Sequence, residues 1–551
     1  VLSVKGGDLI VQGAGEGEIA PVTGGARLRG GTIRILGGST LTATSGPTTG
    51  GAIRIEAGAL EIDRSAVGTV AIGGSQAGNV SVDAGAIALT AGGAIRSQTV
   101  GSGDAGAVRV TGFDRLTIDR AGLLDETVIE SEVSLGAVGN AGRVLVRGGD
   151  LVLRDGGRIF SSTAGLGDAG EVKVDVATIS ALGGSQIGSG AFRVPGQPGV
   201  TRGAGGLVTV TARESMMFSG VLRETRNNPE PEPSGVFSGT EGEQSGLGGD
   251  LVVNSPFILL TNEAEMGAET FNASPAGAVR ITGGALIAEK GAEITTTGRA
   301  AGAAGAIVIS MRDSVSVTSG AEIASRSLAP AAGAAAPGAA AATAAGSAGA
   351  VTVRAGKVTV GAGAQITTDS NAIDGGAIRI VGREFALIDS GTVTTSVGAS
   401  TGNGGAIDVS GGILVLNDRA LLASTASAGD GGTVRIASGL TLIEPPDASI
   451  DVSSDFGQAG VVQILGTVGA QSSEAEAPPA EFFNRFALID DFCVAAVTGG
   501  SALRLAPPEG AAEGAAPALF GAAAPYPVAA AKAEAPTMRR AARAPGCDPF
   551  R

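Results

Sequence analysis

The stretch Gly375-Gly376-Ala377-Ile378-Arg379-Ile380 contains one copy of the pattern that decides the fold, Gly-x-φ-x-φ, in which φ is almost always Val or Ile. The chain holds fifteen copies, and nine of the fourteen intervals between them are 27 to 29 residues long. A fixed internal period of this length is the signature of a repeat protein. The copies begin at Gly31, Gly51, Gly78, Gly106, Gly142, Gly170, Gly206, Gly249, Gly277, Gly305, Gly349, Gly376, Gly405, Gly432 and Gly460.

The two φ positions of the copies form two columns of β-branched residues. Of the thirty positions, twenty-nine are Val or Ile, and the exception is Leu251. The residue between the two is usually polar, as in Ile378-Arg379-Ile380. Alternation with a period of two is typical of a half-buried strand, a setting that β-branched side chains favour. Each copy therefore predicts one short strand with both φ side chains in the core.

Two further strand patterns recur within each period. About ten residues after the first comes a segment such as Leu60-Glu61-Ile62, and the next reads Ile-x-Ser/Thr, as in Ile95-Arg96-Ser97. Three short strands and three turns in about 28 residues indicate one coil of a parallel β-helix. We expect an all-β fold, a right-handed single-stranded parallel β-helix. With coils about 4.8 Å apart, its length would be roughly 70 Å.

The repeats define the first domain, a parallel β-helix over residues 1–465. Some intervals between copies are longer than one period, and the extra residues are rich in Pro, Gly and Ala. We expect loop insertions near 192–204, 223–245 and 328–348. Such loops should leave the stack at its corners.

The repeat stops after Leu465, and residues 466–551 read as an Ala/Pro-rich, low-complexity tail. Segment 482–493 differs, because it holds four of the fifteen Phe residues of the chain. We interpret it as a cap over the last coil or as an anchor on a membrane or an outer-membrane partner. Cys493 and Cys547 also follow the last repeat. They are expected to form a disulfide if the protein is exported and to be free thiols in the cytosol.

Composition argues against several classes of function. The chain has no His, so it lacks the imidazole of Ser-His-Asp or Cys-His catalytic systems and of His-containing zinc sites. The formal net charge is −15 and the pI is about 4.7, which disfavours binding to nucleic acid phosphates. No uninterrupted apolar stretch of about 18 residues predicts a membrane span. We expect no cofactor and no nucleic-acid partner.

The corner before the first strand carries Gly-Asp/Asn-Ala/Gly-Gly in several coils. Dense Gly/Asp turns bind calcium in some β-rolls, but those repeat a nine-residue unit that this chain lacks. Here an amide always separates two aspartates of the column, because adjacent carboxylates in a stack would repel each other. We therefore favour structural turn residues, suited to left-handed backbone, over metal ligands. The turn residues are Asp104, Asn140, Asp168, Asp374, Asn403 and Asp430.

An enzyme is the less favoured reading of these repeats. Glycoside hydrolysis needs two carboxylates across a cleft. The segment 223–245 is rich in Glu, but Glu230-Pro231-Glu232-Pro233 is an extended pattern that would not fix an acid at a set distance. No cluster of Asp with Arg or Lys recurs on neighbouring coils. We therefore expect no catalytic residues.

The repeats resemble those of a known family. Gly402-Asn403-Gly404-Gly405-Ala406-Ile407-Asp408-Val409, with the L-x-L and I-x-S/T segments that recur after such copies, is similar to repeats of filamentous-haemagglutinin-like exoproteins of bacterial two-partner secretion. The likeness covers roughly residues 1–465, and the tail with Leu505-Ala506-Pro507-Pro508 resembles the family more loosely. The family's N-terminal secretion domain is not visible, so we expect the chain to be the distal part of a longer protein.

The resemblance implies secretion through an outer-membrane two-partner transporter and a place at the bacterial cell surface or outside the cell. We predict an adhesin that binds host, cell or matrix surfaces through its outer faces and loops, with a receptor that the sequence does not name. The alternatives are a carbohydrate-active enzyme (a polysaccharide lyase or hydrolase) on a β-helix and a structural surface-layer component. A cleft pairing two carboxylates on adjacent coils would favour the enzyme.

Overall fold

A computed structural model of the chain describes residues 2–5, 9–12, 18–19, 25–45, 50–123, 125–192, 202–223, 231–242, 245–300, 302–328, 346–371, 374–398, 402–443 and 448–470. All of them belong to one compact unit, Val1–Gln471. The second unit, Ser472–Arg551, lies outside the described residues, and with it the segment 482–493, Cys493 and Cys547. Within the described ranges, no helix has the length and hydrophobicity that a membrane crossing requires.

The described chain is all-β, and two parallel sheets of 17 and 15 strands form the solenoid. A separate two-stranded antiparallel sheet pairs Val221–Leu222 with Glu232–Pro233. Each coil contributes one long strand to the first sheet and one short strand to the second. The long strands are Ala26–Leu36, Ile53–Asp63, Val80–Thr90, Val108–Asp119, Val144–Arg154, Val172–Leu182, Val208–Ser219, Leu251–Thr261, Val279–Ala288, Ile307–Val317, Val351–Gly361, Ile378–Asp389, Ile407–Asn417, Thr433–Ile443 and Val461–Ala470, with Leu2–Lys5 and Leu9–Gln12 beside the first of them. The short strands are Glu18–Ile19, Thr40–Thr44, Ala66–Ala71, Ala94–Thr99, Val128–Val133, Arg158–Thr163, Gln186–Ala191, Gly235–Thr240, Glu265–Thr270, Glu293–Gly298, Glu322–Ser327, Gln365–Ser370, Thr392–Val397, Leu421–Ala426 and Ser449–Asp451.

Equivalent residues of successive coils are paired in register. Ile378 faces Val351 on one side and Ile407 on the other, and Ile366 is placed likewise between Ile323 and Val393. Their side chains are at most 1% exposed and form part of one continuous hydrophobic core. The predicted parallel β-helix is therefore confirmed.

The structure has two strands per coil where the sequence predicts three. The first and second predicted strands are continuous, as in Val80–Thr90. Val82 and Ile87 are an odd number of residues apart, yet both are buried, which a straight strand would not allow. Several long strands shift register at the same point, for example between Thr111 and Arg115. An irregularity inside the strand thus replaces the predicted turn and returns the second half to the core.

The first repeat is displaced relative to the others. Ile33 and Ile35, the φ residues after Gly31, face Leu60 and Ile62, which belong to the second half of the next long strand. The residues that face Ile53 and Ile55 are instead Ala26 and Leu28. The assignment of Gly31 as an equivalent anchor is therefore wrong, because both halves of a long strand can carry a φ-x-φ pair.

A left-handed corner links the long strand to the short strand. Ala362 and Gly363 have φ values of 49° and 75°, and Asp155 and Gly156 have values of 50° and 82°. Two successive residues with positive φ reverse the chain direction, and glycine adopts this conformation without steric cost. This corner explains the Gly between the second and third predicted strands.

The insertion predicted for 223–245 is shorter than expected. Gly235–Thr240 within it is a short strand of the solenoid, paired in register with Gln186–Ala191 and Glu265–Thr270. Val236 and Ser238 are buried in the Ile-x-Ser/Thr positions, a match that the Pro- and Glu-rich flanks obscure. Within the other predicted insertions, residues 193–201 and 329–345 lie outside the described residues.

Hydroxyl groups tie the short strand to the anchor glycines inside the coil. The Ser97 Oγ accepts the Gly106 N–H at 2.7 Å, and the Ser131 Oγ donates to the Gly106 carbonyl at 3.1 Å. A Cβ at Gly106 would lie 2.0 Å from the carbonyl oxygen of Gly78, so only glycine fits this column. These bonds account for the Ser/Thr of the third strand pattern.

Candidate functional site

The six predicted turn residues lie in two runs, each of which forms a hydrogen-bonded ladder along the corner before the long strands. The Asp104 Oδ1 accepts the Asn140 backbone N–H at 2.8 Å, and the Asn140 Oδ1 accepts the Asp168 N–H at 2.9 Å. In the second run, the Asp374 and Asn403 Oδ1 atoms accept the N–H groups of Asn403 and Asp430, both at 2.8 Å. We call these six residues the corner ladder.

The corner ladder differs from its prediction in its backbone conformation. None of its six residues, all described, has a positive φ, so left-handed backbone does not explain the choice of Asp and Asn. The shared property is a side-chain oxygen that accepts a backbone N–H from the next coil. The predicted amide donor is seen at Asn140, whose Nδ2 lies 3.2 Å from the Asp104 Oδ1. Within the described ranges, no three acidic side chains could together hold a metal ion.

A groove on the outer face of the short-strand sheet brings together charged residues that the sequence reasoning missed. Its floor comes from two adjacent strands in register, where Glu130 faces Arg96 and Glu132 faces Gln98. The groove has a volume of about 600 Å³ and also includes Arg64, Asp125 and Glu126. We call it the carboxylate groove.

One wall of the carboxylate groove comes from a lengthened corner. The interval from Gly106 to Gly142 is 36 residues, longer than the usual period, and most of the extra residues lie between Asp119 and Val128. The Oγ1 of the buried Thr127 accepts the Gly92 N–H at 2.9 Å and so joins the wall to the preceding coil. A Cβ added to Gly92 would lie only 3.3 Å from the Asp125 Cβ, so Gly92 and Asp125 of the wall are packed closely together.

The carboxyl groups of the groove are held by neighbouring polar groups. The Ser162 Oγ donates to the Glu130 Oε1 at 2.7 Å, and the Gln98 Nε2 donates to the Glu132 Oε2 at 3.3 Å. Arg158 bridges Glu126 at 3.1 Å and Glu232 at 2.5 Å. In the described part of the chain, the Arg96 guanidinium makes no hydrogen bond or ion pair.

The groove changes the proton affinity of its carboxyl groups. Burial, together with the negative charge of Glu132, raises the pKa of Glu130 from 4.5 to about 8, while the Ser162 hydroxyl opposes the rise. Burial also raises the pKa of Glu132, against the charge of Arg96. The Glu130 carboxyl therefore takes up a proton more readily than a free glutamate, and in its protonated form it can donate a hydrogen bond.

A second acidic feature lies further along the same sheet. Glu265, Glu293 and Glu322 occupy equivalent positions in three successive short strands. Burial raises the pKa of Glu265 to about 7 and that of Glu293 above its usual range, with Glu322 adding to the second rise. We call these three residues the glutamate column.

The long-strand sheet carries a groove of opposite charge. Arg109, Arg147 and Arg213 line a cavity of about 500 Å³ beside the irregularity at Gly112. Asp175 lies 2.6 Å from Arg213 and 3.5 Å from Arg147, so two of the three guanidinium groups share one carboxylate. Arg109 and the carboxylate groove lie on different sheets, which makes Arg109 a suitable control position.

The carboxylate groove combines features of both predicted function classes. Glu130 and Glu132 are two carboxyl groups in one groove, but they belong to one coil rather than to two, and Arg96 is contributed by the adjacent coil. The sequence signal was the pair Glu130-Ser131-Glu132 on one strand face next to an overlong interval. No protein-family model, curated protein or solved structure that was compared with the chain matches it.

Proposed function

We propose that this protein is a secreted or cell-surface adhesin, a solenoid that binds a carbohydrate-bearing surface through its outer faces. The single observation that carries the proposal is the carboxylate groove, a polar recess on an outer face of the repeated sheets. In-register strand pairing fixes the backbone of its floor, and hydrogen bonds from Ser162 and Gln98 hold the Glu130 and Glu132 carboxyl groups before any ligand arrives. Preorganised groups lose little conformational freedom on binding, which favours recognition.

The route out of the cell is proposed on the resemblance to filamentous-haemagglutinin-like exoproteins. Under that proposal the partner is an outer-membrane two-partner transporter. Each coil of a solenoid contacts mainly its neighbours, so folding can propagate as the chain emerges. The test co-expresses a candidate transporter with the chain fused behind a two-partner secretion domain, which should place the protein outside the cell. Retention of the fusion in the periplasm, under conditions in which the secretion domain alone is exported, would contradict this route.

The adhesin proposal is tested by binding of the purified protein to cells and to immobilised glycans. We expect saturable binding that soluble glycan competes away. A matched sample unfolded in denaturant and kept unfolded should not bind. Absence of binding to any cell or glycan surface would contradict the adhesin proposal.

A carbohydrate-active enzyme is a second candidate, supported by one observation. Glu130, whose pKa is raised to about 8, lies in one groove with Glu132, and an acid with a raised pKa near a second carboxyl group is the pairing that glycoside hydrolysis uses. The test is release of new reducing ends from polysaccharides at neutral pH. Glu130→Gln should abolish the release if the groove is responsible. Release that Glu130→Gln leaves unchanged would come from elsewhere.

A further inference from the structure

We propose that the carboxylate groove is a binding site for a neutral oligosaccharide, with Arg96, Gln98, Glu130 and Glu132 as the groups that contact its hydroxyls. This inference rests on the proposed adhesin function and names its ligand class and site.

The floor presents four polar side chains in a compact array. Arg96 and Glu130 are neighbours across two paired strands, as are Gln98 and Glu132. Paired strands lie about 4.8 Å apart, and residues two apart on one strand project from the same face at a spacing of roughly 7 Å. A patch of this size is comparable with one sugar ring. Its polar groups can therefore contact several hydroxyls of the same residue.

Both kinds of hydrogen-bonding group are present in the array. Arg96 offers guanidinium N–H donors that have no described partner. Glu132 has one described contact, from Gln98, and keeps acceptor capacity on its second oxygen. A sugar hydroxyl both donates and accepts, so alternating donors and acceptors match adjacent hydroxyls. A purely acidic cluster would lack the donors.

The charges in the groove favour a neutral ligand. Arg158 is shared between Glu126 and Glu232, so it does not cancel both charges, and the raised pKa of Glu130 reduces the negative charge of that carboxyl near neutral pH. Asp125 and Glu132 add two carboxylates, whereas Arg64 is already paired with Asp63, so carboxylates outnumber the guanidinium groups that face a ligand. Anionic ligands would meet these two carboxylates, while the described residues hold no set of three acidic groups for a metal ion. The remaining polar class with many hydroxyls is a neutral oligosaccharide.

The groove is also specific to one place in the solenoid. Its wall is built from the extra residues of the interval between Gly106 and Gly142, and the intervals on either side of it are 28 residues long. Phe160 faces Glu130 from the next coil and is itself buried, with its ring 5.7 Å from that of Phe192. An apolar neighbour therefore borders the groove on that side.

The test measures binding of short neutral oligosaccharides of glucose, galactose and mannose to the full chain, beside anionic counterparts. We expect Arg96→Gln and Glu132→Gln each to weaken binding of the neutral ligand by about tenfold or more, the loss expected for hydrogen bonds to charged groups. Arg109→Gln, on the other sheet, is the matched control and should bind as the parent does. Thermal unfolding of each variant shows that it is folded.

A second measurement uses the unmodified protein. Bound oligosaccharide should slow hydrogen exchange in Ala94–Thr99 and Val128–Val133 and leave Gln365–Ser370 unchanged. Unchanged affinity in both groove variants, or protection elsewhere only, would overturn the site while the adhesin proposal stands. Failure of the parent protein to bind any neutral oligosaccharide would also overturn the proposed site. If the parent protein also failed to bind cells, the adhesin proposal itself would be overturned.

Discussion

The corner ladder and the glutamate column are two stacks of side chains in the same solenoid, and they differ in whether an amide separates neighbouring carboxyl groups. In the corner ladder, Asn140 separates Asp104 from Asp168, and each side-chain oxygen is held by a backbone N–H at 2.8 to 2.9 Å. In the glutamate column, Glu265, Glu293 and Glu322 follow one another without an amide between them.

The difference follows from how firmly each carboxyl group is held. A short side chain bonded to the backbone of the next coil cannot move away from a neighbouring charge. A glutamate side chain has one more rotatable bond than an aspartate and can turn towards its own partner: Glu265 accepts from the Thr295 hydroxyl at 2.8 Å, and Glu322 pairs with Arg326. It can also retain a proton. Charge spacing in a stacked sheet is therefore strict only where the side chain is fixed.

The largest expected effect is a dependence of stability on pH that comes from the glutamates. The pKa values of Glu130, about 8, and Glu265, about 7, exceed the ordinary 4.5, so the folded state binds protons that the unfolded state releases. This contribution is complete below the ordinary pKa and is lost as pH rises through 7 and 8. Each tenfold difference in proton affinity is worth about 1.4 kcal/mol. We expect a higher Tm at about pH 5 than at about pH 8.5.

The control for this pH dependence is the double variant Glu130→Gln, Glu265→Gln. Both amides stay neutral at every pH, so the Tm difference between the two conditions should shrink. A difference of the same size in the double variant would assign the effect to other groups.

Removal of one step of the corner ladder should have the next largest effect. Asn140→Ala leaves the Asp168 N–H without its acceptor and removes a donor to Asp104. We expect the free energy of unfolding in urea to fall by about 1 kcal/mol. Gln76→Ala is the matched control in the same column, since its only described contact with the ladder is 3.4 Å long. An equal loss in both variants would contradict the ladder.

Neutralising the middle of the glutamate column should stabilise the protein. Glu293→Gln removes a charge that stands between Glu265 and Glu322, with an expected gain of roughly 0.5 kcal/mol at about pH 8. At about pH 5 the gain should be smaller, because protonation already relieves the repulsion. A loss of stability at the higher pH would show that Glu293 has a favourable partner.

The smallest expected effect comes from adding a charge to the corner ladder. Asn140→Asp keeps the acceptor oxygen but places three carboxylates in a row, which should cost a few tenths of a kcal/mol. Because exposed charges are screened, the cost should disappear in about 1 M salt. A salt-independent loss would point to the missing Nδ2 donor instead.

Much of the fold could be predicted because burial leaves a period in the sequence. Ile378 and Ile380 alternate with Arg379, and the same alternation recurs coil after coil. Two of the errors of detail arise where one pattern has two structural meanings. The φ-x-φ pair after Gly31 belongs to the second half of a strand, and the expected turn before Ile87 is an irregularity within one.

The candidate site could be predicted only in part. The corner ladder follows from identity and spacing, because its members are equivalent residues of successive coils. The carboxylate groove depends on which short strands are neighbours and on where the lengthened corner folds, neither of which has a local signature. Glu130 and Glu132 alone read as the solvated face of a strand, and only the register places Arg96 beside them.

The alternation of the corner ladder also limits how such a chain can change in length. Deletion of one whole coil, for example the one that contributes Asn403, would bring Asp374 next to Asp430 and set two fixed carboxylates side by side. Deletion of two adjacent coils would restore an Asp–amide neighbour, because Asp374 would then meet Gln458. Within this run, removal of an even number of coils keeps the alternation of Asp and amide, and removal of an odd number breaks it. Duplications and losses in pairs should therefore be tolerated better than single ones.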